Sequence, residues 1–93
     1  MARTAYHQGR LLAALAHVGA TDEPHQLYVR ASVCPSELLP ALRRAQAAGF
    51  GDTLMEITDQ IPDEAYQKQL TDEQCADFGL GYYHQLHTYR TSQ

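Results

Sequence analysis

Ninety-three residues, 44% hydrophobic and 19% charged, suffice for one domain spanning 1–93, and a chain of this size buries only about 60 to 65% of the surface it exposes unfolded, so its core must be compact. The formal charge of −4 argues against a strongly basic nucleic-acid-binding domain, and no run approaches the roughly 20 apolar residues of a membrane span. Six Gly and four Pro stand singly, as punctuation, which argues against disorder.

The start "MARTAYHQGRLLAALAHVG" lacks a small-residue cleavage site after its short apolar run, so the chain is read as cytoplasmic. Cys34 and Cys75 are then expected to be reduced, small hydrophobes rather than a disulfide. Charge is unevenly spread: residues 1–51 carry +2, with all but one of the arginines, and residues 52–93 carry −6. Any contact with phosphate must therefore come from a local arginine patch.

In chain order, "TAYHQGRLLAALAHVG" sets Leu11, Leu12, Leu15 and Val18 at spacings of three and four, which predicts a helix with Thr4 as N-cap and Gly19 as its stop. Gly9 in its interior costs up to about 1 kcal/mol relative to Ala, so close approach of another backbone is expected there. "TDEPHQLYVRAS" predicts a short helix with Pro24 in its first turn, running through Leu27 and Tyr28 to Ala31. "CPSELLPALRRAQAAG" starts again from a cap at Cys34 or Ser36 and closes at Gly49, with Leu38, Leu39 and Leu42 inward. Arg43 and Arg44 lie near its end, where cations suit the helix dipole.

"GFGDTLMEITDQIPDEAYQKQL" predicts a core Phe50 and a helix over 53–60 with Leu54, Ile57 and Ile61 inward, ended by Pro62, then one further turn within 63–69. "LTDEQC" is a capping box, Thr71 with Gln74 three residues on, and starts a helix to Tyr89 with Cys75, Phe78, Tyr82, Leu86 and Tyr89 as its apolar stripe. Nothing alternates at period two long enough to require a sheet, so the expected fold is all-α, a compact bundle of four to five helices.

Catalytic patterns are missing. His84 and His87 stand three apart, but a zinc site needs further ligands, and no His-Glu-x-x-His or Cys-x-x-Cys accompanies them. No Gly-x-Ser-x-Gly elbow and no phosphate-binding glycine loop occurs, and Asp59, Asp63 and Glu64 read as a solvated acidic face. The chain is thus expected to be no enzyme and to carry no metal or cofactor. Tyr83 points about 100° away from Tyr82, which makes Tyr83, His84 and Gln85 a candidate protein-docking edge.

Three blocks carry a family resemblance. "LTDEQCADFGLGYYHQ" resembles the closing segment of the large subunit of type I-C CRISPR interference complexes (Cascade), whose helix bears Gly-Tyr-Tyr-His-Gln. "AYHQGRLLAAL" is similar to that family's AY-x-x-GRLLA-L helix, and "ASVCPSELLPALRRAQ" to its SASATP-x-x-x-FPRLLRLSQ segment, with Cys34 where threonine is usual. In that family this helical region is also produced separately, as the small subunit.

The resemblance implies a non-catalytic small subunit that braces the backbone subunits and the guide–target duplex and steadies the displaced DNA strand. Implied partners are CRISPR backbone and large subunits, guide RNA and target DNA within the assembly, and further copies of the chain along the filament. On this reading Arg10, Arg43 and Arg44 are the first candidates for phosphate contact, followed by Arg3, Arg30 and Arg90. An acidic segment, "GFGDTLMEITDQIPDEAYQKQ", replaces a more basic one in the family, so affinity for DNA is expected only inside the complex. A phage-type inhibitor mimicking the subunit and a plain helical interaction module are the alternatives.

Overall fold

The computed structural model describes residues 3–91, and its elements are five α-helices and two 3-10 turns: α1 (Thr4–His17), α2 (Pro24–Ala31), a 3-10 turn (Pro35–Leu38), α3 (Leu39–Ala47), α4 (Gly51–Thr58), a second 3-10 turn (Asp63–Gln67) and α5 (Asp72–Thr91). The all-α bundle anticipated from periodicity is what forms. Buried residues run nearly all round the middle of α1, from Ala5 through Leu15, as expected of a central helix. It touches α2, α3, α4 and most extensively α5, and one core joins Leu11, Leu12 and Leu15 to Leu27, Leu38, Leu54 and Phe78. The radius of gyration, 11.9 Å, is close to the roughly 12 Å expected of a folded chain of this length.

Helices α1 and α5 run in the same sense, with Tyr6 beside Gly81 and His84, Arg10 beside Gln85 and His17 stacked on Tyr89 at 3.9 Å. Glycines from both sides make this approach possible. A Cβ on Gly9 would overlap the Phe78 carbonyl oxygen and stand 2.8 Å from the Tyr82 nitrogen, while one on Gly81 would overlap the Tyr6 carbonyl oxygen. Only hydrogen atoms fit in this seam. The close packing expected of Gly9 is therefore present, and Gly81 is its counterpart. Because backbone rather than long side chains fills the contact, the buried face of α5 centres on Phe78, Gly79 and Gly81, while Leu86 is half-buried and outside the core.

Both predicted stops are Schellman motifs. Gly19, at φ 77°, lets Ala20 N–H reach Leu15 C=O (2.9 Å) and Gly19 N–H reach Ala16 C=O (3.2 Å); Gly49, at φ 90°, does the same for Phe50 to Ala45 (2.8 Å) and Gly49 to Gln46 (3.1 Å). Starts differ more. Thr4 is already helical, with Arg3 at the cap and no side-chain cap bond; Cys34 does stand at the cap of the segment that follows, its carbonyl accepting from Glu37 N–H (3.0 Å), but its side chain makes no cap hydrogen bond. Pro40 explains the 3-10 turn there: it has no N–H to give the Ser36 carbonyl, so an α-helix begun at Pro35 would lack that bond, and the first turn tightens instead. Phe50 is 38% exposed rather than core, because the left-handed glycine before it turns the chain away; α4 consequently starts at Gly51.

The capping box of α5 is complete. Thr71 N–H donates to Gln74 Oε1 (2.8 Å) and Gln74 N–H to Thr71 Oγ1 (3.2 Å). Leu70 N–H donates to Val33 C=O (2.9 Å) and the Cys75 thiol to Ser32 C=O (2.8 Å), tying this helix start to the end of α2. Thr71→Ala is expected to cost about 1 kcal/mol and lower Tm by about 4–8 °C in a thermal melt; an unchanged Tm would mean that the box carries no stability.

Candidate nucleic-acid interface

Tyr6 and His7 follow Arg3 by three and four residues and precede Arg10 by four and three, so the geometry of α1 gathers the four on one face, and α5 adds His84 and Gln85 across the glycine seam. The Arg3 guanidinium lies 3.9 Å from the centre of the Tyr6 ring, a cation–π contact. The Tyr6 hydroxyl is 2.9 Å from His84 Nδ1, and Arg10 Nε donates to Gln85 Oε1 at 3.0 Å while its Nη1 lies 3.0 Å from His7 Nδ1. Among the described residues, no carboxylate belongs to this cluster. Arg10 is half-buried and uses two of its five N–H donors within the fold, which orients the group and leaves three for an incoming acceptor.

Burial, then the charges of Arg10 and Arg3, hold the His7 imidazole below its ordinary pKa. A neutral ring suits the geometry, since Nδ1 accepts the Arg10 hydrogen bond. As pH falls through about 6.5 the unfolded chain takes up this proton before the folded one, so the His7 contribution is complete above that pH and is lost below it. Thermal melts at about pH 7.5 and about pH 5.5 are expected to show a smaller acid-induced loss for His7→Gln than for the parent chain. Equal losses would assign the acid sensitivity to other groups.

The six candidate arginines do not form one patch. Arg30 pairs with Glu37 at 3.6 Å and shares a shallow depression with Thr21, Asp22, Glu23 and Arg44. Arg44 Nε donates to the Ala20 carbonyl (3.1 Å), bracing the turn after α1. Acidic neighbours thus offset much of the positive field at Arg30 and Arg44. The Arg43 side chain is exposed and makes no hydrogen bond or ion pair among the described residues, and Arg90 is exposed in the last turn of α5, near enough to Tyr82 to pull its pKa down against a larger upward effect of burial.

The predicted docking edge divides by residue. Tyr83 is 64% exposed, with its ring edge-on to Tyr82 at 5.2 Å and tilted to Tyr28 at 6.4 Å. Tyr82 is half-buried against the core. His84 and Gln85 belong instead to the arginine cluster through Tyr6 and Arg10. Tyr6 and His7 were not among the predicted site residues, although their registry with Arg3 and Arg10 on one helix face was readable. Among the described residues no group of three or more His, Cys, Asp or Glu side chains could hold a metal ion, and no helix is long and apolar enough to cross a membrane.

The molecule is therefore an all-α bundle with a basic and aromatic cluster across the α1–α5 seam. Comparison of the chain with protein-family models, with curated proteins and with solved structures finds no match.

Proposed function

We propose that this chain is a non-catalytic small subunit of an RNA-guided, type I-C-like interference complex, bracing its protein backbone and guide–target duplex and steadying the displaced DNA strand. The reading is carried by the carboxylate-free cluster of Arg3, Tyr6, His7, Arg10, His84 and Gln85. Its residues come from "AYHQGRLLAAL" and "GYYHQ", two of the blocks that resemble the family, together with Arg3 just before the first. Two guanidinium groups fixed beside aromatic rings suit a phosphate backbone and its bases, while guide pairing reads the sequence. With net charge −4 the chain needs the assembly's other subunits to hold DNA.

The acidic second half favours one further reading, an inhibitor that occupies the subunit's place: Asp52, Asp59, Asp63, Glu64, Asp72 and Glu73 are all exposed. Affinity purification with type I-C backbone and large subunits tests both. Retention with strengthened target binding supports the subunit, retention with target binding abolished supports the inhibitor, and no retention contradicts both.

A further inference from the structure

Gln8 stands in register with Ala5, Leu12 and Leu15 on the buried side of α1; none of its surface is exposed, and neither its Nε2 nor its Oε1 has a hydrogen-bond partner. Burying a carboxamide with donor and acceptor both unmatched destabilises a fold, and a leucine in this register would carry no such cost. Gln8 is among the residues lining a half-open cleft of about 240 Å3, together with Thr4, Ala5, Glu64, Lys68 and Gln69, and its amide atoms are closed off beneath that lining. We propose that this cleft receives a planar amide from a protein partner, which pairs with the Gln8 carboxamide.

Size, charge and hydrogen-bond pattern each narrow the ligand. Pockets for drug-sized molecules hold about 300–1,000 Å3, so this smaller cleft suits one side chain or a short piece of main chain rather than a nucleotide. The rim offers one charge of each sign, Glu64 and Lys68, both exposed, and so has no net field to select a phosphate. Gln8 presents an N–H donor and a C=O acceptor side by side. An Asn or Gln carboxamide matches both at once, its own N–H donating to Oε1 and its oxygen accepting from Nε2; the N–H and C=O of one extended residue do the same. The Lys68 and Gln69 side chains are exposed, make no hydrogen bond or ion pair among the described residues, and are free to swing aside for the incoming group. This inference rests on Gln8 and its cleft alone, whatever the partner of the arginine cluster.

Titration of the 15N-labelled chain, followed by NMR, tests it with three probes: propionamide, N-acetylalanine methylamide, and propionate as a donor-free control. The expected result is a saturable shift of the Gln8 side-chain amide and of the Lys68 and Gln69 signals with an amide probe and none with propionate. A stronger response to propionamide assigns a side-chain carboxamide, and a stronger response to the dipeptide assigns main chain. Gln8→Leu is expected to abolish these shifts while raising Tm by about 4 °C or more. No saturable shift with either amide, or shifts that survive Gln8→Leu, would overturn the proposal, as would a fall in Tm, which would make Gln8 a structural residue. Should Gln8→Leu not fold, Gln8→Met serves in its place, and the propionamide–propionate contrast on the parent chain still decides.

Discussion

Gly81→Ala is expected to cost about 3 kcal/mol or more and to lower Tm by about 12 °C or more. In an exposed helix the same change would gain up to about 1 kcal/mol, so the sign alone discriminates. The loss arises because the added methyl would fall on the Tyr6 carbonyl oxygen, with Tyr6 Cα at 3.1 Å, and backbone atoms of a central helix cannot rotate out of the way. Gly9→Ala meets the Phe78 carbonyl in the same manner and is expected to be as damaging. Gly51→Ala is the control, since its Cβ would meet only Gln46 Cγ at 3.7 Å, an ordinary contact. Thermal melts of the three variants decide the matter: a Gly81→Ala chain as stable as its parent would mean that α1 and α5 are not in backbone contact. The expected damage reaches the proposed site as well, because the same seam sets Tyr6 against His84 and Arg10 against Gln85.

The second large effect expected from the proposed function is on nucleic-acid binding by the assembled complex. Replacing Arg3 and Arg10 together by Ala is expected to weaken target binding about tenfold or more and to reduce the slope of log K against log salt by about 1.4 to 1.8, the change for two lost phosphate contacts on single- or double-stranded nucleic acid. Replacing Arg30 and Arg44 is expected to do much less, because Glu37, Asp22 and Glu23 already offset their charge and Arg44 is engaged with the Ala20 carbonyl. Arg43→Ala tests an exposed guanidinium that makes no hydrogen bond or ion pair among the described residues. Titrations at several salt concentrations, with melting curves to show that each variant is folded, separate these outcomes. An unchanged affinity and slope for the Arg3–Arg10 double variant would reject the cluster as a phosphate contact.

How legible the fold was depended on the kind of signal. Glycine stops at Gly19 and Gly49 and the Thr71–Gln74 box were readable because each is a local device whose geometry needs only a few consecutive residues. Helix starts without such a device, at Thr4 and Gly51, were not, and the 3-10 turn at Pro35 required counting the missing Pro40 hydrogen bond forward along the chain. The candidate site was half legible. Arg3 and Arg10 were among the named arginines, but ranking them above Arg44 needed the placement of Asp22 and Glu23, and assigning His84 to Tyr6 needed a contact between residues 78 positions apart. Gln8 carried a signal of its own, a polar residue at a core position of α1, whose meaning appears only once both amide atoms are seen to lack partners.

The most direct test of the central claim is the affinity of a reconstituted type I-C complex for its target DNA, measured with and without this chain. The proposed role requires the chain to join the complex and to tighten target binding, and to lose that effect when Arg3 and Arg10 are both removed. A chain that stays outside the complex, or joins it without strengthening its hold on DNA, would contradict the account.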